Sequence, residues 1–154
     1  MSTIKMQAKT IATAEQYIAG LTDFGPGRSR IFGNSADRYL KVHDKRSGHA
    51  DVTEGSGGVW ERLSYDWTDP NNVVARTTES NIWGGHSGHT YRFTRNADGT
   101  TDINYVVVRE GKNAKGRFLG VVLGSVGKSR LVKAFRNSVK AVEARDYPAK
   151  ASQP

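Results

Sequence analysis

The chain has 154 residues, a formal net charge of +8 and no cysteine. That length suits one domain with a real core. The absence of thiols excludes disulfides, thiolate metal sites and cysteine nucleophiles. Together with an N-terminus that lacks an apolar leader, it points to a cytoplasmic protein. The cations are scattered with no run of five, which fits a solvated basic surface better than a nucleic-acid footprint.

Residues 4–11 alternate, with Ile4, Met6 and Ala8 on one side and Lys5, Gln7 and Lys9 on the other, the pattern of a half-buried strand. Residues 14–19 change to a helical period, with Thr13 as N-cap. Phe24-Gly-Pro-Gly27 breaks the chain, and residues 28–32 read as a second short helix. From residue 38 strand follows strand: 38–44, 50–54, 59–67, 73–80, 86–95 and 101–109. Short turns rich in Gly, Asn and Asp separate them, so sequence neighbours are expected to pair antiparallel.

Between residues 114 and 145 apolar positions recur at intervals of three and four, at Leu119, Val122, Val126, Phe135, Val139 and Val142. This predicts one long amphipathic helix with a basic outer stripe of Lys133, Arg136 and Lys140. The expected class is therefore α+β: a seven-stranded, curved antiparallel sheet wrapped around the long C-terminal helix, with two short helices after the first strand. Residues 1–146 form a single domain in this reading, and 147–154 a flexible tail.

The segment ends like a phosphate-binding loop, with Gly127-Lys128-Ser129. A P-loop needs a further glycine at position 122, which is Val122, and a buried strand before it. The expected helix supplies neither. Gly116, Gly120 and Gly124 instead form a stripe on one helix face. It serves either close approach to the sheet backbone or open space between helix and sheet.

The element order, with Leu21-Thr-Asp-Phe-Gly-Pro-Gly27, Val59-Trp-Glu-Arg-Leu-Ser-Tyr-Asp-Trp67, Ser80-Asn-Ile-Trp-Gly-Gly85 and Arg109-Glu-Gly-Lys-Asn113, resembles the START/Bet v 1-like superfamily. Within it the chain is most similar to the bacterial polyketide cyclase/dehydrase and lipid-transport group. The resemblance covers roughly residues 3 to 146. It implies a helix-grip fold, a cavity between helix and sheet, and a bound apolar or aromatic ligand with no cofactor. It carries over no catalytic motif, and fold alone does not settle function.

Strand periodicity sorts the candidates. Val59, Glu61, Leu63, Tyr65 and Trp67 share one face, and that face is placed inward. The same reasoning selects Val73, Ala75 and Thr77, then His89, Tyr91 and Phe93, then Ile103, Tyr105 and Val107. The expected ligand-binding set is Leu63, Tyr65, Trp67, Ala75, Tyr91, Phe93, Tyr105, Phe118, Val122 and Val126, with Trp67 as a fluorescence reporter. Glu61 and His89 are the candidate acid-base groups. Glu61 either has a carboxyl pushed up by burial, suited to proton transfer, or is paired with an arginine. His86 and His89 lie three apart on a strand and face opposite sides, so no metal site is expected. Lys112, Lys115 and Arg117 at the helix start suggest an anion contact or a solvated loop. Three functions follow: a carrier or sensor of an apolar or aromatic molecule, a cyclase/dehydratase-type enzyme, or a basic module for nucleic acid or anionic membrane. Few aromatics fall among the surface cations, which counts against nucleic acid.

Overall fold

The computed structural model describes residues 1–145 and 147. The rest of the expected tail lies outside the described residues. Strand β1 (Ser2–Thr10) leads into α1 (Ala14–Leu21). Thr13 caps α1 in a reciprocal box: its hydroxyl accepts from the Gln16 amide at 3.1 Å, and the Gln16 side chain accepts from the Thr13 amide at 2.8 Å. A single 3-10 turn, Arg28–Arg30, stands where the second short helix was expected. Then come β2 (Lys41–Arg46), β3 (His49–Ser56), β4 (Val59–Asp66), β5 (Asn72–Ser80), β6 (Gly88–Arg95) and β7 (Thr101–Arg109).

The seven strands form one antiparallel sheet in the order β1-β7-β6-β5-β4-β3-β2. Strands β2 to β7 are a meander, and β1 returns to pair with β7 along its whole length. Register shifts, at Val42/Asp44 in β2 and where β5 passes from Thr77 to Glu79 opposite Leu63 and Arg62, bend the ribbon. The second shift also changes strand parity. Val73, Ala75 and Thr77 are buried, and after the extra residue the next buried position is Ser80.

The C-terminal segment departs from the expected single helix. It is divided into α2 (Ala114–Gly124) and α3 (Lys128–Ala144). The Ser125 hydroxyl donates to the Val121 carbonyl at 2.7 Å, and the Gly127 amide reaches back to Val122 at 2.7 Å. A serine and two glycines within four residues offer the backbone alternative partners and weak helix propensity. The break interrupts the inward row: Val126, four residues after the cavity-lining Val122, is exposed. Phe135, Val139 and Val142 of α3 are buried in the core. Gly127-Lys128-Ser129 opens α3, and the element before it is α2 rather than a strand.

The glycine stripe serves close packing. A Cβ on Gly116 would lie 2.2 Å from the Ile82 carbonyl oxygen, and one on Gly124 would lie 3.0 Å from the Ser2 hydroxyl. Gly120 meets Trp83 and the Arg109 carbonyl, and its own carbonyl accepts from the Ser2 hydroxyl at 2.7 Å. The stripe thus seats α2 on β1 and on the β5–β6 connection. Space for a ligand comes from elsewhere.

Candidate functional site: a cavity between sheet and helices

Beneath α2 and α3 lies a cavity of about 500 Å³, walled by the inner face of β3 to β7 and by α1. Its helical side is mainly apolar, formed by Leu119, Val122, Leu123, Leu131, Ala134 and Phe135 together with Arg130 and Ser138. Its sheet side carries a stack of rings. Tyr91 and Tyr105 lie face to face, 4.1 Å between centroids and 7° from parallel. His89 stacks on the other side of Tyr105 at 5.8 Å, and Phe135 tilts against the same ring at 5.1 Å. Stacked rings at this spacing form a rigid, flat wall.

A charged network closes one end. The Arg109 guanidinium grips the Glu61 carboxylate with two bonds of 2.8 and 2.9 Å, and the Thr77 hydroxyl donates to the same carboxylate at 2.8 Å. The Arg109 Nη2 also lies 3.0 Å from His89 Nε2, whereas Glu61 Oε1 is 3.4 Å from that nitrogen. A guanidinium can only donate, so the closer contact assigns Nε2 as acceptor. His89 Nδ1 then carries the proton and donates to the Tyr105 hydroxyl at 2.7 Å. The Trp83 ring covers the Arg109 guanidinium, 5.1 Å from its centroid.

Burial alone would push the Glu61 carboxyl up, as the first of the two sequence readings expects. The adjoining Arg109 guanidinium, with His89 beside it, reverses this and holds it well below the usual carboxylate range. Glu61 is therefore a paired anion, a weak proton acceptor with both oxygens engaged. Burial pushes the Tyr105 hydroxyl up to about 12, against the Tyr91 hydroxyl and Arg109, so it remains a phenol at neutral pH.

A second buried pair sits at the α1 side. Arg28 Nε donates to Glu54 at 2.7 Å and its Nη1 to the Asp23 carbonyl at 2.9 Å, with the Phe24 and Phe32 rings on either hand. The Tyr65 hydroxyl donates to the other Glu54 oxygen. Burial favours a neutral Glu54, and Arg28 with Tyr65 holds it ionised, below the usual range. Tyr17, also on the wall, has a buried hydroxyl without a hydrogen-bond partner among the described residues.

Of the sequence-selected residues, the cavity gathers Glu61, Leu63, Tyr65, Ala75, His89, Tyr91, Tyr105 and Val122. Four others lie elsewhere. Phe93 is buried in the core against Tyr17, with ring centroids 5.6 Å apart. Trp67 follows the end of β4 and packs on the core outside the cavity wall. Phe118 points outward because Leu119, Val122 and Leu123 are the α2 positions that face in. Val126 stands exposed in the helix break. Lys112, Lys115 and Arg117 are exposed, and the α2 N-terminus is capped internally by the Asn113 side chain, which accepts from the Gly116 amide at 2.9 Å. The side chain of His86 is 88% exposed and that of His89 17%, so the two share no site.

The sequence reading missed Arg109, Arg28, Glu54, Trp60 and Trp83. Two were within its reach. Arg109 continues the inward row of Ile103, Tyr105 and Val107, and Glu54 continues that of Ala50 and Val52. Arg28 follows an irregular loop and Trp83 lies in the loop after β5, where periodicity carries no signal. Trp60 lines the cavity against its parity, near the start of β4 and opposite Gly55.

The paired carboxylates set a pH dependence. A carboxyl whose folded value lies below its unfolded value of about 4.3 stabilises the fold above that value and loses the contribution as pH falls toward the folded value. Glu54 and Glu61 are both shifted this way. Urea midpoints should therefore change little with these groups between pH 5 and 8 and fall steeply below about pH 4.5. Glu61→Gln should make the acid limb shallower, and an unchanged limb would mean that the Glu61 pairing contributes nothing.

Comparison with protein-family models and with curated proteins finds no match. Solved structures do match. A protein of Thermus thermophilus superimposes with a TM-score of 0.71 at 13% identity, covering 94% of this chain and 99% of that one. A START superfamily protein from Mycobacterium smegmatis gives 0.68 at 11% identity, covering 92% and 99%. The Zhui aromatase/cyclase from Streptomyces sp. R1128 gives 0.66 at 16% identity, covering 97% and 98%. The chain has the START/Bet v 1-like helix-grip fold.

Proposed function

We propose that the protein binds a flat apolar or aromatic small molecule, polyketide- or lipid-like, between sheet and C-terminal helices, without converting it. The observation that carries this reading is the cavity, whose size falls in the range of small-molecule sites. One wall is the Tyr91–Tyr105 stack and the facing wall is mostly aliphatic, with Phe135 and Arg130 in it. The buried Tyr17 hydroxyl offers a polar handle to a ligand oxygen. Proton transfer is disfavoured at Glu61, which is held as an anion by Arg109 and Thr77. A second reading, a cyclase/dehydratase-type enzyme, draws on the His89–Tyr105 pair at the cavity wall and on the likeness to an aromatase/cyclase. It would need His89 and Tyr105 to reach the same substrate atom.

Trp60 and Trp83, rather than Trp67, line the cavity and should report occupancy. A fluorescence titration with aromatic polyketides, flavonoids, sterols and fatty acids should give saturable quenching at micromolar concentration for at least one class, with the compound recovered unchanged by mass spectrometry. Ala134→Phe, which places a ring in the cavity from α3, should weaken that binding at least tenfold. Failure of every class to bind would reject the reading. A new product that disappears in His89→Gln would establish the enzyme instead.

A further inference from the structure

The positive charge of this protein is concentrated on one structural segment. The whole chain has 23 Lys and Arg against 15 Asp and Glu. Residues 111–142 contain eight Lys and Arg and no Asp or Glu, so the remainder carries fifteen of each and is neutral. All eight side chains, from Lys112 to Lys140, are exposed. Among the described residues none of the eight forms an ion pair. Four of them, Lys128, Lys133, Arg136 and Lys140, line a shallow depression on the outer face of α3, which Ser125 also borders.

Large apolar side chains protrude beside that face. Phe118 and Val121 of α2 are each 67% exposed, and Val126 in the helix break is 81% exposed. Phe118, Val121 and Ser125 follow helical spacing, so this stripe runs into the basic depression at Ser125. Protruding apolar groups flanked by unpaired cations match the boundary of an anionic bilayer, where rings and methyl groups enter the acyl region and cations meet phosphate. A polyanion such as nucleic acid would use the charge and leave the apolar stripe unexplained.

We infer that the outer faces of α2 and α3 dock on membranes containing anionic phospholipid. This surface is independent of the cavity reading, because neither the apolar stripe nor the four cations of the depression line the cavity. The break at Ser125–Gly127 nonetheless places it beside Leu123, Gly127 and Leu131 of the cavity wall, which would bring a docked bilayer close to the ligand chamber.

The test is sedimentation with phosphatidylcholine vesicles and with vesicles containing 30% phosphatidylglycerol. The protein should co-sediment with the anionic vesicles only, and less so as salt rises. Each cation at the surface contributes about fivefold in affinity, so Lys133→Glu/Arg136→Glu/Lys140→Glu should lose at least a hundredfold. Phe118→Ser/Val121→Ser should lose roughly tenfold or more with its melting temperature preserved. Phe118→Trp should shift its emission to the blue with anionic vesicles. Absence of sedimentation with anionic vesicles, or equal sedimentation with both kinds, would overturn the inference. So would a double serine variant that binds like the wild type together with a Phe118→Trp emission that does not move, the pattern of a charge-only surface for nucleic acid. Loss of vesicle binding leaves the ligand titration untouched, so the two readings fail separately.

Discussion

Arg109→Leu is expected to cost about 3–5 kcal/mol of stability at neutral pH, the range for removing one partner of a buried ion pair. In a chain of this length that lowers the melting temperature by roughly 6–20 °C. The side chains of Arg109 and Glu61 are only 10% and 12% exposed, so the remaining carboxylate cannot hydrate freely. The Thr77 hydroxyl would still donate to it, and His89, 3.4 Å away, would face it as a cation only when protonated. The variant should also lose stability further as pH rises from 5 to 8, because an unpaired buried carboxyl has its folded value raised above its unfolded one and its stabilising neutral form is lost with rising pH. Arg109→Leu/Glu61→Leu should recover most of the loss, since an apolar pair of similar size leaves no charge unmet. A single-variant cost under about 1 kcal/mol would mean that water reaches Glu61 in the folded state.

Gly116→Ala is the second change with a large expected effect. The added methyl group would sit 2.2 Å from the Ile82 carbonyl oxygen and 3.0 Å from the Gly111 Cα, both backbone atoms that cannot swing aside. The α2 N-terminus would have to lift from the β5–β6 connection, breaking the bond from the Lys112 amide to the Ile82 carbonyl at 2.9 Å. Overpacking of this kind costs about 3 kcal/mol or more and outweighs the intrinsic helix preference for alanine of about 1 kcal/mol. Gly120→Ala is the internal control. Its methyl group would meet Trp83 at 3.7 Å, an ordinary contact, so the change should be near neutral or mildly stabilising by melting temperature. Equal behaviour of the two variants would contradict the packing described for the stripe.

The architecture was legible because the period changes were clean. Alternation carried β1 and β4 to β7, and Thr13 as N-cap marked the start of α1. The helix break was not legible from periodicity, because Val126 continues the spacing of Leu119 and Val122 in sequence although it is exposed in the fold. Its trace was compositional, a serine between two glycines. The cavity wall was half legible. Rows of strand residues gave Leu63, Tyr65, Ala75, Tyr91 and Tyr105; the helix-borne Phe118 lies off the wall because spacing along one helix does not fix its rotation toward the sheet, and Val126 because it falls in the break. The partners of Glu54 and Glu61 lie 26 and 48 residues away, and only pairing register brings them together. That is why the choice between a proton-transfer carboxyl and an arginine-paired one stayed open at Glu61 until the structure decided for the pair.

An aromatic or apolar ligand bound as proposed would sit between the Tyr91–Tyr105 stack and the helical wall. Nuclear Overhauser contacts between the tightest compound of the titration and the protein test this placement most directly. Contacts are expected from ligand protons to the rings of Tyr91, Tyr105 and Phe135 and to the methyl groups of Leu123 and Leu131, at one molecule per chain. Contacts confined to exposed groups such as Phe118 and Val126, with those interior rings unaffected at saturation, would contradict it.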